Sequence, residues 1–186
     1  MIWAIGDSHS LIYEHFREIK VEHIGARLMY SIATKGLDLE VLGVNKGDTV
    51  IFCLGEIDCR FHIHRHSQEV PYKKVIDALV NNYFMFLLSK VSGLDIKVCV
   101  HNLVPPVKYL FDHYNGSIED RKNYVLYMNK KLNQYCLENG FLFIDVYKHY
   151  ADDDGFLKYG LSDTYVHISE PSYLRDFLIE KSMIKG

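Results

Sequence analysis

The sequence predicts an α/β fold with a five-stranded parallel sheet between two layers of helices. Three apolar runs, at 1–5, 49–54 and 96–103, are rich in β-branched and aromatic residues, which is typical of strands buried on both faces of a sheet. The segments between them carry apolar residues at helical spacing. Because strands that alternate with helices form parallel sheets, the chain is expected to fold as a three-layer α/β/α sandwich.

The same two periodicities predict each element in chain order, and the resulting outline is flavodoxin-like. Strands are expected at 1–5, 21–24, 49–54, 96–103 and 141–146. Helices are expected at 11–19, 27–34, 71–91, 120–139 and from 169–171 to about 183. The segment 107–117 is predicted to be a loop, and Gly36 and Gly140 fit the ends of the second and fourth helices.

The composition is that of one ordinary globular domain covering residues 1–186, with 48% hydrophobic and 24% charged residues. The net charge of −3 excludes the basic footprint of a nucleic-acid binder and gives no reason to expect an anionic membrane as partner. No apolar stretch approaches the roughly 20 residues of a membrane span, and the first residues predict a strand instead of a signal peptide. A cytoplasmic protein without a disulfide framework is therefore expected, and the sequence does not predict its oligomeric state.

The first candidate for chemistry is Gly6-Asp7-Ser8-His9, which follows the first predicted strand. The carboxyl edge of an open α/β sheet is where ligands bind, so this turn presents the Ser8 hydroxyl at that edge. A serine hydroxyl is a poor nucleophile until a base removes its proton. A strand-to-helix turn with Ser8 or Ser10 as N-cap accounts for the same residues without chemistry. Asp7 is expected to hold backbone N–H groups of the turn.

A base and an acid for Ser8 occur near the other end of the chain. His167 precedes the last predicted helix, and Asp163 lies four residues before it. An imidazole that takes a serine proton needs an acceptor at its second nitrogen, which fixes its tautomer and stabilises its charged form. Serine early with acid and histidine late is one chain order in which a hydrolytic triad is assembled. The same residues are also compatible with a surface loop that carries an ordinary histidine.

A third polar segment follows the strand predicted at 49–54. Its Gly55 allows a backbone to approach a ligand closely. Three charges then fall within five residues, at Glu56, Asp58 and Arg60. Charges at the end of a buried strand either pair with one another or serve a binding loop beside Ser8, and the sequence leaves both interpretations open.

These segments together resemble the motifs of the SGNH/GDSL hydrolase superfamily. Gly6-Asp7-Ser8 matches the first block, whose serine is the nucleophile. Gly25 matches the glycine of the second block, whose N–H helps to form the oxyanion hole. Gly55-Glu56-Ile57-Asp58 occupies the place of the Gly-x-Asn-Asp third block, and Asp163 and His167 match the last block in kind. The blocks occur in order over nearly the whole chain.

Two positions depart from the family pattern. Ile57 stands where the family has the asparagine whose amide points at the oxyanion, and loss of such a donor typically costs about 2.7–4 kcal/mol of transition-state stabilisation. Either another donor substitutes or catalysis is weak. Three residues separate Asp163 from His167 where the family has two, so a one-residue bulge is needed to restore the geometry. The candidate substitute donors are Arg60, His9 and His62.

The resemblance implies an ester hydrolase that needs neither cofactor nor metal. Ser8 attacks the acyl carbonyl, His167 takes its proton and Asp163 orients His167, while the N–H groups of Ser8 and Gly25 receive the oxyanion. The implied partner is a small-molecule or glycan ester, with an O-acetylated sugar as the preferred substrate class. The charges of the third segment would bind its hydroxyls or shape the pocket.

A metal site is a rival interpretation of one segment. Cys59, His62, His64 and His66 are ligands that zinc favours, and a strand would place the three histidines on one face. Structural zinc sites usually draw ligand pairs from two places, and the sequence shows no second cluster.

Two rival functions are compatible with the same fold. A non-catalytic glycan- or protein-binding module is favoured by the loss of an amide donor at Ile57. An acyltransferase would form the same intermediate on Ser8 and pass it to a sugar hydroxyl.

Overall fold

A five-stranded sheet lies at the centre of the computed structural model, which describes residues 1–109 and 115–186. The strands lie in the order β2-β1-β3-β4-β5, and every neighbouring pair is parallel. They are β1 Ile2–Gly6, β2 Ile19–His23, β3 Thr49–Cys53, β4 Lys97–His101 and β5 Leu142–Ile144. The strand order reverses between β1 and β3, so the carboxyl ends of these two strands flank the crevice where such sheets bind ligands.

Helices cover both faces of the sheet. They are α1 Met29–Lys35, α2 Ile63–His66, α3 Tyr72–Leu94, α4 Ile118–Asn139, α5 Tyr147–Tyr150 and α6 Ser172–Glu180, with a 3-10 helix at Ser8–His15. Side chains alternate along β1, so Trp3 and Ile5 pack with α1, α3 and α4. Ala4 packs on the other face with the 3-10 helix, α5 and α6. The prediction of a three-layer α/β/α sandwich with a parallel sheet is confirmed.

The first helix differs from its prediction in type and length. The apolar spacing over 11–19 indicated an α-helix, whereas a 3-10 helix runs over Ser8–His15 and Ile19 already belongs to β2. The chain turns back at once, because Phe16 N–H donates to Tyr13 O at 3.0 Å and Ile19 N–H donates to Phe16 O at 3.0 Å. This short connection brings β2 beside β1 and leaves no room for a longer helix.

The fourth helix begins two residues earlier than predicted because of a capping box. Ser117 Oγ accepts a hydrogen bond from Asp120 N–H at 3.0 Å, and the Asp120 carboxylate accepts one from Ser117 N–H at 2.9 Å. These two bonds satisfy backbone donors that otherwise lack partners. The helix ends at Gly140, as predicted.

Two other regions bear on the predictions. Of the loop predicted at 107–117, residues 107–109 and 115–117 are described and lie outside any helix or strand, while 110–114 lie outside the described residues. Within 1–109 and 115–186, no helix is both long enough and apolar enough to cross a membrane.

Candidate active site

Ser8 is held at the carboxyl end of β1 by a close approach of β1 to β3. Asp7 N–H donates to Cys53 O at 3.2 Å, and Asp7 Oδ1 accepts from His9 N–H at 2.9 Å, as an N-cap does. The prediction that Asp7 holds a backbone N–H of the turn is confirmed. Position 6 must be glycine, because a Cβ there would lie 2.1 Å from Cys53 O. Ser8 is therefore the first residue of the 3-10 helix, where backbone N–H groups have no acceptor within the helix.

The structure brings Ser8, His167 and Asp163 together. His167 Nε2 lies 2.8 Å from Ser8 Oγ, and His167 Nδ1 lies 2.6 Å from Asp163 Oδ2. In the tautomer that fits both contacts, Nδ1–H donates to the carboxylate and Nε2 accepts from the serine hydroxyl. The three side chains thus form a continuous chain of hydrogen bonds that ends at the Ser8 hydroxyl.

A tight loop sets the distance between Asp163 and His167. Asp163 N–H donates to His167 O at 3.0 Å, and a β-bridge between Ser162 and Ile168 closes the loop. Thr164 has a φ of 67°, in the left-handed region that non-glycine residues seldom adopt. With this conformation in the loop, Asp163 and His167 are in contact although three residues separate them.

The Asp163 carboxylate is stabilised in its charged form. Partial burial alone would raise its pKa, but the hydrogen bond from the His167 ring and those from the backbone N–H groups of Tyr165 and His167 outweigh burial. The pKa of Asp163 therefore lies below its ordinary value, and the group is an anion at neutral pH.

Tyr109 braces this loop from outside and was not predicted from the sequence. Its hydroxyl lies 2.7 Å from Thr164 O and 2.6 Å from Tyr165 O, so its proton is shared between the two carbonyl groups. Partial burial and the charge of Asp163 raise the pKa of Tyr109, which keeps it a donor. No local sequence pattern links Tyr109 to a loop more than 50 positions away.

An open cleft of about 220 Å³ adjoins the Ser8 hydroxyl. One wall of the cleft is apolar, and the other holds the side chains of Ser8, His167 and Asp163. The cleft is lined by Ser8, His9, Leu11, Ile12, His15, Asp163, His167 and Ile168. A volume of this size has room for a short acyl group.

The residues predicted to stabilise an oxyanion lie at different places in the structure. Gly25 lies just past β2, and the preceding Ile24 N–H donates to Gly6 O at 2.9 Å, so Gly25 is next to the Ser8 turn. Ile57 is buried and offers no donor. His62 lies in the π-helical turn Asp58–His62 and does not line the Ser8 cleft.

The charged segment after β3 is engaged within the protein. Arg60 Nη2 lies 3.0 Å from Glu56 Oε2, and both side chains are largely buried. Asp58 points to α1, where its carboxylate accepts from Met29 N–H at 2.8 Å and Tyr30 N–H at 3.3 Å. The ion-paired interpretation therefore describes Glu56 and Arg60. Asp58 caps a helix, which corrects the expectation that its carboxylate faces a substrate hydroxyl.

Gly55 serves packing at the start of the same segment. Its φ of 111° suits glycine, and a Cβ there would lie 2.8 Å from Met29 Cε and 3.3 Å from Leu103 Cδ1. The close approach that was predicted for a ligand is made by neighbouring side chains.

The histidine run of the rival metal interpretation is helical. His62 ends the π-helical turn, His64 and His66 lie in α2, and His64 Nδ1 contacts Tyr124 Oη at 3.0 Å. The strand that the rival interpretation requires, with three histidines on one face, is therefore not what this segment forms. Among residues 1–109 and 115–186, no group of three or more His, Cys, Asp or Glu side chains is arranged to hold a metal ion.

A small, partly open cavity lies behind the Ser8 turn. It has about 10 Å³, close to the space that one water molecule needs, and Asp7, His9, Glu56 and His101 are among its lining residues. Asp7 Oδ2 and His101 Nε2 are buried without a hydrogen-bond partner in the described part of the chain. Burial is the main reason that the pKa of His101 falls to about 3, and the neighbouring His9 lowers it further. His101 is therefore a neutral ring beneath the site.

Comparison of the sequence alone finds no matching family model and no matching curated protein. Comparison of the structure gives a different result. A GDSL-like lipase from Bacteroides thetaiotaomicron superposes with a TM-score of 0.69 at 14% identity, covering 99% of this chain and 87% of that one. The chain has the SGNH/GDSL hydrolase fold.

Two further solved structures share the SGNH/GDSL fold. A protein of Bacteroides fragilis described as an acylhydrolase gives a TM-score of 0.70 at 17% identity, over 98% of this chain and 85% of that one. The acetyl xylan esterase AlAXEase superposes with a TM-score of 0.63 at 17% identity, over 99% of this chain and 100% of that one. The prediction of this fold is confirmed.

Proposed function

We propose that this protein is a serine ester hydrolase of the SGNH/GDSL superfamily that cleaves short acyl esters. The observation that carries the proposal is the hydrogen-bond chain from Asp163 through His167 to Ser8, with contacts of 2.6 and 2.8 Å. The motif order in the sequence and the names of the structural neighbours support the same conclusion.

In the proposed reaction, Ser8 Oγ attacks the acyl carbonyl while His167 Nε2 takes its proton. The carbonyl oxygen becomes an oxyanion, which the backbone N–H groups of Ser8 and Gly25 receive. Collapse of the tetrahedral intermediate breaks the ester bond, and His167 returns the proton to the leaving alcohol. A water molecule then loses a proton to His167, attacks the acyl-enzyme and releases the carboxylic acid and free Ser8.

Asp163 has an electrostatic and a geometric role in these steps. It accepts the Nδ1 proton of His167, so Nε2 faces Ser8 as an acceptor. When His167 becomes an imidazolium, the adjacent carboxylate stabilises the new charge. The hydrogen bonds that lower the pKa of Asp163 keep it charged throughout the cycle.

The proposed substrate is an O-acetyl ester on a carbohydrate. The cleft beside Ser8 has room for a short acyl group, and Leu11, Ile12 and Ile168 give it an apolar wall for a methyl. Tyr159 and Tyr165 are exposed on the side of the Asp163 loop, where aromatic rings can pack on a sugar. One structural neighbour is an acetyl xylan esterase, which agrees with this class.

Hydrolysis of p-nitrophenyl esters tests the reaction. The wild type is expected to cleave the acetate with a higher kcat/KM than the octanoate, and Ser8→Ala to abolish turnover. Ser92→Ala, which removes an exposed hydroxyl from α3, is the matched control and should keep full activity. Full activity of Ser8→Ala would overturn the assignment of the nucleophile.

Release of acetate from acetylated xylo-oligosaccharides tests the substrate class. Expected is a kcat/KM above that for ethyl acetate, whose leaving alcohol is also unactivated but lacks the binding contacts of the sugar. Equal or lower values would contradict a carbohydrate acceptor while leaving the esterase intact.

A non-catalytic binding module is the second candidate, and Ile57 in place of an amide donor favours it. Labelling with a fluorophosphonate separates the two. An esterase is labelled at Ser8, and Ser8→Ala is not. A wild type that neither reacts with the label nor cleaves esters, yet binds acetylated glycans in calorimetry, would support the binding module.

A further inference from the structure

His9 joins the segment that carries the nucleophile to the segment that carries the base. Its side chain is buried, with 8% exposed, and lies directly after Ser8 in the chain. Nδ1 is 3.1 Å from Asp7 Oδ1, and Nε2 is 3.3 Å from the carbonyl oxygen of Val166. Val166 immediately precedes His167, so one imidazole ring spans the two sides of the proposed active site.

Both ring nitrogens of His9 face oxygen acceptors. A carboxylate oxygen and a backbone carbonyl oxygen can only accept, so each contact becomes a hydrogen bond when its nitrogen carries a proton. A neutral imidazole has one N–H and would leave one contact as a lone pair facing an oxygen. The environment therefore selects the doubly protonated ring, in which both contacts are satisfied.

The surrounding charges favour this state. The titratable and charged groups that face His9 are Asp7, Glu56, Arg60, His101 and His167. Burial on its own lowers the pKa of His9, but the hydrogen bond and charge of Asp7, aided by Glu56, outweigh burial and the opposing Arg60 and leave the pKa above its ordinary value.

The ring of His9 also touches that of His167. Their centroids are 4.7 Å apart, with an interplanar angle of 56°. His9 thus contacts the base through its ring as well as through the carbonyl oxygen of Val166.

We propose that His9 is a positioning residue that, as an imidazolium donating to both Asp7 and the carbonyl of Val166, ties the Ser8 turn to the His167 loop. The proposal rests on the proposed esterase function and adds a role that the triad does not contain. His9 is not the substitute oxyanion donor expected from the sequence, because both of its nitrogens are engaged elsewhere.

Two substitutions separate the two parts of this role. His9→Leu removes both hydrogen bonds and the charge. His9→Gln restores an amide donor for Val166 O and stays neutral. We expect His9→Leu to lower kcat on the order of 10²-fold with KM changed less than about threefold, since small displacements of a base cost rates of this size. His9→Gln should recover part of kcat.

The pH profile gives a readout that a merely structural role would not move. In the wild type, kcat should fall as pH rises through the raised pKa of His9, because the neutral ring keeps only one of its two hydrogen bonds. His9→Gln has no titrating ring and should lack this fall. His149→Leu, at an exposed position of α5, is the matched control and should keep the wild-type profile.

An NMR measurement makes the test independent of activity. In wild type labelled with ¹³C and ¹⁵N at histidine, the His9 ring should remain doubly protonated at pH 7, and its signals should vanish in His9→Gln. A neutral His9 ring at pH 7, or a His9→Gln variant whose kcat falls with rising pH as that of the wild type does, would overturn the proposal. If no ester is cleaved while His9 is doubly protonated, the esterase function fails and the charged ring stands.

Discussion

His167 Nε2 lies 2.8 Å from Ser8 Oγ, although 159 positions separate the two residues in the chain. The parallel sheet makes this contact, because β1 delivers Ser8 to the carboxyl edge and the loop before α6 returns to the same edge. The contact already has the length at which a base can take the hydroxyl proton. Its strength depends on Asp163, which holds the other side of the imidazole.

Asp163→Asn tests that dependence. The amide can donate to Nδ1, which turns Nε2 into the protonated nitrogen and removes the acceptor for the Ser8 proton. By analogy with serine proteases, kcat is expected to fall about 10⁴-fold at neutral pH. Steady-state kinetics on p-nitrophenyl acetate measures it. Asp153→Asn, in an exposed turn, is the control and should leave kcat unchanged. A loss below tenfold would mean that another group orients His167.

Ile57→Asn tests whether the missing amide limits the rate. An amide at this position, next to the end of β3, would add a donor for the oxyanion. One such donor is worth about 10²–10³-fold in kcat. We expect kcat to rise, with Ile57→Leu as a control that keeps the apolar character and the wild-type rate. Unchanged kcat in a folded Ile57→Asn protein would show that a different donor already fills this role.

The sheet and the site residues Ser8, Asp163 and His167 could be predicted because each is marked by a short stretch of sequence. Runs such as 49–54 are apolar on both faces, and only a strand covered by two layers buries all of them. Ser8, Asp163 and His167 were found because each sits beside a recognisable strand end or helix start. A bulge between Asp163 and His167 was expected from their spacing, but which residue would adopt the left-handed conformation was not predictable.

The roles of Asp58 and His9 could not be predicted, because they depend on where distant segments meet. Asp58 begins the π-helical turn that follows β3, yet its carboxylate reaches α1, 29 positions earlier in the chain. His9 was one of three candidate oxyanion donors, but its Nε2 contacts the carbonyl oxygen of Val166, 157 positions away. A sequence motif predicts which side chains lie near a site, whereas the packing of distant segments determines which atoms those side chains contact.

Asp58→Asn should make the protein more stable at alkaline pH. Burial raises the pKa of Asp58 to about 7, although the bonds from Met29 and Tyr30 N–H oppose it. The folded state therefore binds a proton that the unfolded chain, near 3.9, has lost, so this contribution to stability is complete below about pH 4 and is lost as pH rises through 7. Asparagine keeps an acceptor for α1 without a buried charge.

Urea unfolding at pH 5 and pH 8 measures the effect of Asp58. Between these values the wild type should lose about 2–3 kcal/mol of unfolding free energy that Asp58→Asn retains, at about 1.4 kcal/mol per pKa unit. The control Asp153→Asn should lose as much unfolding free energy between these pH values as the wild type does. Parallel pH dependence of wild type and Asp58→Asn would mean that the Asp58 carboxyl is neutral or solvated at both pH values.

His101→Leu should protect the protein against acid. Burial depresses the pKa of His101 to about 3, whereas an unfolded histidine titrates near 6.5. Because the folded pKa is lowered, the stability linked to the neutral ring is present above pH 6.5 and is lost as pH falls toward 3. At pH 4.5 the wild type should have lost about 2–3 kcal/mol through this group alone, at about 1.4 kcal/mol per pKa unit. Leucine cannot take up the proton, so the unfolding free energy of the variant should fall less between pH 7 and 4.5.

Urea unfolding at these two pH values measures the difference, and His149→Leu, the control, should match the wild type. An equal fall in unfolding free energy for His101→Leu and wild type would show that His101 is protonated in the folded protein, and that water reaches the cavity behind Ser8 freely.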